Sequence, residues 1–521
     1  MVTCRGSLRV AVVGGSVAGL ATALFLARRG HRVQVFERDG TAPPTGPAGS
    51  WWRPATPQAR HSHAFLARCR QVLAAEAPDV LAALLAAGVR EVRLAAVPPP
   101  SLTGPVPADD RLVVLAGRRS VVEWTLRRAL AAEPGVTVRA GLGVSGLWLE
   151  PLCWHPVRVM GVHLDDGSEA AADLVVDAAG RRSPVPGWLA DAGAELPAEQ
   201  LAACGITYYS RFYQLHDNGP EEHGGHAPEG LIRGYTAGGS YDRYSCLVFP
   251  ADNGAFSVTF GVLPEDAALR GLRMDAAFDA AAATMPVVAD WVDPRASQPL
   301  SGVSAMAGLS NRLRQLGPDD GPPAALGIVS VGDSACITNP AHTRGTALAI
   351  ATAARLAAVV DTHAGDREAV ALGMAAALRA ELEPWYHDSI AQDRHRLRRW
   401  RPAAPADAGR AYDRGRTYDL GLAYDIGGRE QVSNAEASLA AQRDPVVWSA
   451  FTALQNLLAL PDEVLADPEV VRRTRAVLDS GWRPAPVGAA PGRDELVEIV
   501  SAAAAEAGVV AAESRTSSVG R

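Results

Sequence analysis

The sequence predicts an α/β protein that carries an inserted, strand-rich second domain and a helical C-terminal region. Two observations predict this arrangement. Strand and helix patterns alternate at both ends of the first 365 residues, and strand patterns follow one another directly between them. The chain has 521 residues, of which 48% are hydrophobic, so it can bury a large core and should divide into two or three domains.

The first strand and helix lie close to the N-terminus. Val10–Val13 is a short β-branched run typical of a buried parallel strand, and residues 20–29 have the apolar spacing of a helix that stops at a glycine. Between them, Gly14 permits a tight turn and Gly19 lets the helix pack closely on the strand. Ser16 stands where such turns usually carry a second glycine. This unit predicts a bound dinucleotide whose pyrophosphate rests on the helix N-terminus.

An acidic residue closes the second predicted strand. That strand spans residues 32–36 and is followed by Glu37. A carboxylate at this place can accept hydrogen bonds from both hydroxyls of the nucleotide ribose. The neighbouring Arg38 is a further candidate for cofactor binding.

Composition excludes several classes of function. The formal charge of −7 and the pI near 6.0 give no overall attraction to nucleic acid or anionic lipid. No uncharged span reaches the roughly 20 residues that a membrane helix needs, so we expect a cytoplasmic protein without an integral membrane span. The 50 basic residues are all arginine, which excludes Schiff-base chemistry and a P-loop. The 6 cysteines are scattered without a CxxC pair, so neither a zinc site nor a disulfide framework is expected.

The order of the patterns predicts the domain boundaries. We expect the first domain to comprise residues 1–90, 111–190 and 310–365, and the inserted domain to comprise residues 91–110 and 191–309. A helical region should cover 366–483, and residues 484–521 should hold a linker, a short helix near Leu496 and a disordered tail from Glu513. The strands predicted in the inserted domain are 205–215, 244–249 and 255–262, the last two joined by a hairpin turn at 251–254.

Two further segments combine a buried strand with a carboxylate. Residues 173–183 contain a strand that ends at Asp177 and a tight turn at Gly180. A second strand over 326–331 leads to Asp333, then to a loop and to a largely apolar helix over 346–360.

With these motifs the sequence resembles the FAD-dependent aromatic-hydroxylase superfamily, the single-component flavoprotein monooxygenases with the para-hydroxybenzoate hydroxylase fold. The resemblance covers about residues 1–365 in discontinuous blocks. It implies a discontinuous Rossmann-like FAD domain with an inserted sheet-rich substrate domain. The resulting cofactor-binding candidates are Gly14, Ser16, Gly19, Glu37, Arg38, Arg60, Arg119, Asp177, Gly180, Asp333, Pro340 and Gly345.

The resemblance also implies roles for the flavin end of the site. Arg119 would reach the phosphate or ribityl region, and Asp333 would hydrogen-bond the ribityl chain. Pro340–Gly345 would form the loop beside the isoalloxazine ring, with the positive end of the next helix directed at the ring. The family commonly has glycine where Thr343 stands, and a Cβ atom there could reshape the space above the ring.

The segment Pro57–His63 is similar to an element of a bacterial branch of this superfamily that includes polyene epoxidases of polyether biosynthesis. In that branch an arginine at this place lies near the flavin, so Arg60 is a candidate cofactor contact and His63 a weaker one. No carboxylate or thiolate accompanies these histidines locally, so we expect no metal site.

The resemblance implies an FAD-dependent monooxygenase that uses NAD(P)H and dioxygen to hydroxylate or epoxidise a small, largely apolar organic substrate in secondary metabolism. FAD would stay bound and NAD(P)H would dock transiently, because the sequence holds one dinucleotide fingerprint. No catalytic side chain is assigned, because the flavin carries the difficult step. Candidates for the substrate pocket are Tyr208, Tyr209, Arg211, Phe212, Tyr213, Phe260 and Thr343.

Two alternatives stay open. One is an FAD-dependent reductase or dehydrogenase of the geranylgeranyl reductase type, since Thr343 could alter oxygen handling. The other is a catalytically silent FAD-binding partner protein. A flavin-dependent halogenase would need a catalytic lysine, which the chain lacks. The helices beyond residue 366 either cap the pocket or form a homodimer.

Overall fold

The computed structural model describes residues 6–46, 49, 51–107, 109–150, 156–216, 237–317, 321–363, 365–401, 431–484 and 488–518. Its strands are β1 Arg9–Val13, β2 Arg32–Glu37, β3 Arg90–Arg93, β4 Val113–Ala116, β5 Val136–Ala140, β6 Val144–Leu149, β7 Val157–Leu164, β8 Glu169–Ala171, β9 Leu174–Asp177, β10 Gln200–Ala203, β11 Thr207–Leu215, β12 Ala237–Ser240, β13 Tyr244–Pro250, β14 Ala255–Val262, β15 Ser297–Pro299, β16 Ser304–Met306, β17 Ser310–Leu313, β18 Ala325–Leu326, β19 Ile328–Ser330 and β20 Cys336–Ile337. Its α-helices are α1 Val17–Ala27, α2 Ala67–Glu76, α3 Pro78–Ala86, α4 Arg119–Ala132, α5 Val185–Asp191, α6 Asp275–Ala282, α7 Val288–Val292, α8 Gly345–His363, α9 Arg367–Glu381, α10 Glu383–Trp400, α11 Asn434–Ala440, α12 Pro445–Gln455, α13 Pro461–Leu465, α14 Pro468–Asp479 and α15 Arg493–Ser518.

A parallel sheet of five strands, in the order β19-β9-β1-β2-β5, forms the centre of the first domain. Both of its faces are covered, because Val10 and Val12 of β1 belong to one buried cluster and Ala11 and Val13 to another. The register pairs Val13 with Asp177, and Asp177 with Ser330. The carboxyl ends of the three strands β1, β9 and β19 therefore lie side by side. These strands are the ones that precede the three sequence motifs, and the predicted α/β fold class is confirmed.

Two glycines allow the first strand to turn into α1. Gly14 has φ +106°, and a Cβ atom on it would lie 2.5 Å from the carbonyl oxygen of Ala178 on the neighbouring chain segment. A Cβ on Gly19 would lie 1.9 Å from the carbonyl oxygen of Gly14. The turn, α1 and the end of β9 thus approach each other as closely as glycine permits.

The helix α8 packs on α1 in the largest buried cluster. Among the described residues it is the one helix whose length and apolar composition would let it cross a membrane, yet 56% of that stretch is buried inside the fold. The predicted strand over 326–331 is divided at Gly327, which has φ +75°, into β18 and β19. The two short strands join different sheets.

A second, antiparallel sheet has the strand order β12-β13-β14-β11-β15, with β16 paired to β11 as well. The hairpin predicted between 244–249 and 255–262 is confirmed, since β13 pairs antiparallel with β14 around the turn at 251–254. One face of this sheet packs against α6 and α15 in a separate buried cluster. Its other face is directed at the carboxyl ends of the parallel strands. The division of the chain at the boundaries given above remains a proposal.

The C-terminal end is more helical than the sequence predicts. The short helix predicted near Leu496 is part of a long helix, α15, which continues to Ser518. The prediction of a disordered tail from Glu513 is therefore wrong for residues 513–518. Leu496 and Val500 of α15 are fully buried against the antiparallel sheet, and burial of this apolar stripe stabilises the helix. Residues 485–487 of the predicted linker and the last three residues lie outside the described part.

We expect Gly19→Ala to destabilise the protein because the new methyl group has no room beside the Gly14 carbonyl. The free energy of unfolding should fall by about 2 kcal/mol or more in urea titrations followed by circular dichroism. Gly187→Ala in α5 is the matched control, since a Cβ there meets nothing within 4 Å, and it should leave stability equal or slightly higher. Equal stability of the two variants would contradict the close packing of the turn.

Candidate functional site

A cavity of about 1900 Å³ lies between the carboxyl ends of the parallel strands and the antiparallel sheet. It is larger than the roughly 300–1,000 Å³ of common small-molecule pockets. The cofactor-binding candidates that line it are Gly14, Ser16, Glu37, Arg38, Arg60, Arg119, Gly180, Asp333, Pro340 and Gly345. Gly19 and Asp177 lie behind the wall instead.

The buried Asp177 side chain links the turns that follow two of these strands, β9 and β19. Its carboxylate accepts hydrogen bonds from Ser183 Oγ at 2.7 Å, Ser334 Oγ at 2.9 Å and the backbone N–H of Ala179 at 3.1 Å. Ser334 Oγ in turn accepts the N–H of Gly180 at 2.8 Å. Burial raises the pKa of Asp177, although these donors oppose the shift. Its role in this structure is to hold the turn after β9 against the turn after β19.

Asp333 presents its carboxylate to the cavity. Cβ atoms added at Gly180 and Gly345 would lie 3.9 Å from its Cβ and 3.8 Å from its Oδ1, so the two glycines flank it closely. Among the described residues no group donates a hydrogen bond to this carboxylate. Burial raises its pKa, and Arg119 and Arg181 lower it in opposition. An acceptor of this kind is available to a hydroxyl group of a bound molecule.

A buried network of charges surrounds the N-terminus of α1. Arg53, 2% exposed, contacts Glu37 Oε2 at 2.7 Å and Glu123 Oε2 at 3.1 Å. Glu123 Oε1 accepts hydrogen bonds from Ser16 Oγ at 2.7 Å and from Arg119 Nε at 2.9 Å. The Ser16 side chain therefore makes no cap on α1, and the first N–H groups of this helix stay available to an anion.

Glu37, the predicted ribose ligand, is already hydrogen-bonded within the protein. Besides Arg53, its carboxylate accepts the N–H of Gly15 at 2.9 Å and that of Asp39 at 2.9 Å. A carboxylate offers about four acceptor positions, so room for a ribose hydroxyl remains. Neither Gly15 nor Arg53 is among the residues predicted from the sequence. A Cβ on Gly15 would come within 2.9 Å of the Glu37 side chain, and Arg53 lies in an irregular segment without a pattern.

The loop Pro340–Gly345 is fixed by buried polar side chains. Asn339 accepts a hydrogen bond from Tyr208 Oη at 2.9 Å and donates one to Asp393 of α10 at 2.5 Å. The next turn of the loop places Arg344, 1% exposed, over the ring of Trp385 and 2.5 Å from Asp388 Oδ2. Helix α10 thus holds the loop in place through its contacts with Asn339 and Arg344.

Thr343 adopts a left-handed backbone conformation, with φ +55° and ψ +20°. This conformation costs a residue with a side chain about 1–2 kcal/mol and is routine for glycine. The finding explains physically why glycine suits this position.

The antiparallel sheet corrects the predicted substrate pocket. Side chains alternate along a strand, so Tyr208 and Ser210 of β11 line the cavity with Leu247 of β13 and Thr259 of β14. Tyr209, Tyr213 and Phe260 are buried on the opposite face against α6, where Arg211 pairs with Asp279 at 2.6 Å. Phe212 has the register of the cavity face but is not part of the lining. Of the predicted pocket residues, Tyr208 and Thr343 line the cavity.

The segment after residue 57 closes another side of the cavity. His61 Nδ1 lies 2.9 Å from Ser210 Oγ, and His63 Nδ1 lies 2.9 Å from the carbonyl oxygen of His61. Burial, with Arg60 nearby, lowers the pKa of His61 to about 4, and burial, with Arg119 nearby, lowers that of His63 to about 3. The Arg60 guanidinium stacks on the ring of Trp52, 4.0 Å from its centroid.

Helices near the C-terminus contribute the remaining wall, which sequence reasoning left open. Lining residues from this region include Glu383, His387, Gln392 and His395 of α10, and Asn434 of α11. No group of three metal-binding side chains occurs among the described residues.

This fold and this site are those of an FAD-dependent oxidoreductase. The family model described as FAD dependent oxidoreductase matches residues 9–155. Protein Rv3254 of Mycobacterium tuberculosis is 31% identical over 363 residues, which cover 64% of this chain and 69% of that protein. The chain belongs to the same family as Protein Rv3254.

Solved structures share the fold. CmlS, a flavin-dependent halogenase, has a TM-score of 0.56 and 17% identity, over 91% of this chain and 78% of its own. PqsL of Pseudomonas aeruginosa, described as a probable FAD-dependent monooxygenase, has a TM-score of 0.52 and 14% identity, over 76% of this chain and 98% of its own. At these identities the likeness concerns the fold alone.

The residues present fit FAD. The uncapped N-terminus of α1 suits a pyrophosphate, and the Asp333 carboxylate, which no described donor satisfies, suits a hydroxyl of the ribityl chain. The cavity has room for the cofactor together with a small organic molecule.

We expect Arg53→Met to lower the free energy of unfolding by about 3–5 kcal/mol, because Glu37 and Glu123 would stay buried without their shared cation. Arg9→Met is the control: it breaks a pair with Asp173 in which Arg9 is 56% exposed, and should cost about 1 kcal/mol or less. Adding Glu123→Gln to Arg53→Met should restore part of the loss. Similar urea midpoints for both single variants would disprove the importance of this buried network.

The histidines predict a pH dependence of stability. His61 is uncharged in the folded state down to about pH 4, whereas in the unfolded chain it gains a proton below about pH 6.5. The stability that it contributes is therefore complete above pH 6.5 and is lost as the pH falls towards 4, with a slope of up to about 1.4 kcal/mol per pH unit. Urea titrations between pH 7.5 and 4.5 should show a shallower loss for His61→Asn than for the natural protein. Parallel curves would contradict the prediction.

Proposed function

We propose that this oxidoreductase is a flavin-dependent monooxygenase that uses NAD(P)H and dioxygen to hydroxylate or epoxidise a small organic substrate, as part of secondary metabolism. One observation carries the proposal: a single cavity joins the dinucleotide elements to a wall of the antiparallel sheet. A substrate on that wall would lie close to FAD bound at the carboxyl ends of the parallel strands. It would also be shielded from bulk water.

Bound FAD would supply both the exchange of electrons with NAD(P)H and the activation of dioxygen. The chain would hold it through the N-terminus of α1 and Arg119 at the phosphates, through Asp333 at the ribityl chain, and through Glu37 at the adenosine ribose. Arg119 already lies against Ser16, 3.0 Å from its Oγ. The second dinucleotide would bind transiently, without a domain of its own.

The residues around the loop have electrostatic and positioning roles in this proposal. Gly345 opens α8, a helix of 19 residues, on the cavity. The positive end of the helix would favour negative charge on the nearest edge of the flavin. No side chain has to act as acid, base or nucleophile. The apolar part of the opposite wall, with Leu247, Phe249, Met306 and Leu309, would exclude water and orient a largely apolar substrate.

A reductase or dehydrogenase is the second candidate, because the left-handed Thr343 puts a Cβ atom where the family commonly has glycine. That atom would limit the space for dioxygen. Halogenation is disfavoured by the absence of lysine from the chain. A catalytically silent FAD-binding partner remains the outcome if neither nicotinamide reduces the flavin.

The test begins with reconstitution by FAD, followed by visible absorbance, and with oxidation of NADH and NADPH in the presence of candidate substrates. Under ¹⁸O₂ we expect one labelled oxygen atom in the product, measured by mass spectrometry. A product without label, together with substrate-dependent NAD(P)H oxidation, would establish the reductase instead. A protein that takes up no FAD would overturn the whole proposal.

A further inference from the structure

Four hydroxyl groups and one imidazole form a continuous hydrogen-bonded chain in the cavity wall, which we call the hydroxyl chain. Its members in order are His61 Nδ1, Ser210 Oγ, Thr259 Oγ1, Ser62 Oγ and Ser257 Oγ, and the successive distances are 2.9, 2.7, 2.6 and 2.7 Å. The register of β11 and β14 places Ser210 directly opposite Thr259. The residues after Pro57–Arg60 bring His61 and Ser62 onto the same face.

The far end of the hydroxyl chain sets its direction. Ser257 is 1% exposed, and Ser62 is its hydrogen-bond partner among the described residues. A buried hydroxyl proton without an acceptor is disfavoured by roughly tenfold or more. Ser257 therefore donates to Ser62 and does not merely accept from it.

The number of hydroxyl protons decides the direction of the hydrogen bond at the His61 end of the hydroxyl chain. Four hydroxyl protons serve the four bonds when Ser62 donates to Thr259, Thr259 to Ser210, and Ser210 to His61 Nδ1. All bonds then point the same way and strengthen one another. If Nδ1 carried a proton, five protons would compete for four bonds, and one hydroxyl would have to accept at both of its bonds while its own proton found no acceptor in the chain. The head-to-tail direction makes Nδ1 an acceptor and leaves the ring proton on Nε2.

We propose that His61 offers its Nε2–H to the cavity as a hydrogen-bond donor for the substrate, and that the substrate carries a neutral carbonyl or hydroxyl oxygen at this point. This rests on the proposed function and refines its substrate class, from largely apolar to apolar with one acceptor oxygen. His61 lines the cavity on the side of the antiparallel sheet. Among the described residues none bonds to its Nε2.

The neighbouring histidine has the opposite tautomer. His63 Nδ1 faces the His61 carbonyl, which can only accept, so the ring proton of His63 lies on Nδ1. Burial keeps both rings uncharged in ordinary buffers, and Arg60 and Arg119 are the charged groups that act on them. A neutral donor selects a neutral oxygen without attracting anions by its charge.

The first experiment locates the ring proton. In protein labelled with ¹⁵N-histidine, with and without FAD, the resonances that vanish in His61→Asn belong to His61. We expect shifts of a protonated Nε2 and an unprotonated Nδ1. A proton on Nδ1 would overturn the inference. Because the tautomer is readable without FAD, failure of the proposed function, seen as no FAD uptake, is a separate outcome.

Variants of the hydroxyl chain test its role. Ser210→Ala removes the donor to Nδ1, so the fixed tautomer should give way to a mixture of both. Ser297→Ala is the matched control, since Ser297 is 3% exposed and, within the described part of the chain, its hydroxyl bonds only to the Trp291 carbonyl, away from this wall. It should leave the His61 resonances unchanged. An unaltered tautomer in Ser210→Ala would contradict the proposal.

The ligand class is tested with a matched pair of probes, 1-tetralone and its parent hydrocarbon tetralin, titrated into FAD-loaded protein and followed by flavin absorbance. We expect the ketone to bind about tenfold tighter and this preference to vanish in His61→Phe, with FAD affinity unchanged. Equal binding of the two probes, no binding of the ketone, or a preference that survives in His61→Phe would overturn the substrate class. Loss of FAD affinity in His61→Phe would instead make His61 a cofactor contact and would equally overturn the proposal.

Discussion

The register of the parallel sheet is the constraint on which the site depends. Val13, Asp177 and Ser330 are aligned across β1, β9 and β19, so three turns that are far apart in sequence open at one edge. Asp177 adds hydrogen bonds to the turns after β9 and β19. A shift by one residue in any of these strands would move its turn and rotate its side chains to the other face. The position of Asp333 relative to the N-terminus of α1 follows from this alignment.

The alternation of side chains along the strands of the antiparallel sheet decides which residues face the parallel sheet across the cavity. In β11 the side chains of Tyr208 and Ser210 line the cavity, whereas Tyr209 and Tyr213 support the sheet from behind. The sheet thereby separates two tasks. Large aromatic side chains provide its buried core, and small hydroxyl-bearing side chains form most of the wall near His61. Aromatic residues identified the strand correctly but not the face that meets a ligand.

Local patterns made much of the fold predictable. The glycine turn, the strand before it, the hairpin of β13 and β14, and the apolar α8 each depend on neighbours in sequence, and so they can be read from short segments. Arg53 could not be found in this way, because its partners Glu37 and Glu123 come from other elements. The packing of α15 involves elements far apart in sequence as well, since Leu496 and Val500 are buried against a distant sheet. The face of β11 that meets the cavity could not be read from the sequence, because it depends on which elements pack against each side of the sheet.

The loop before α8 is gripped from the C-terminal region through Asn339 with Asp393 and through Arg344 with Asp388. Both carboxylates project from one helix, α10, which also supplies part of the cavity wall. Anything that displaced this helix would pull on a loop that lines the cavity. A shift of α10 would thus be transmitted mechanically to the cavity wall through these two contacts.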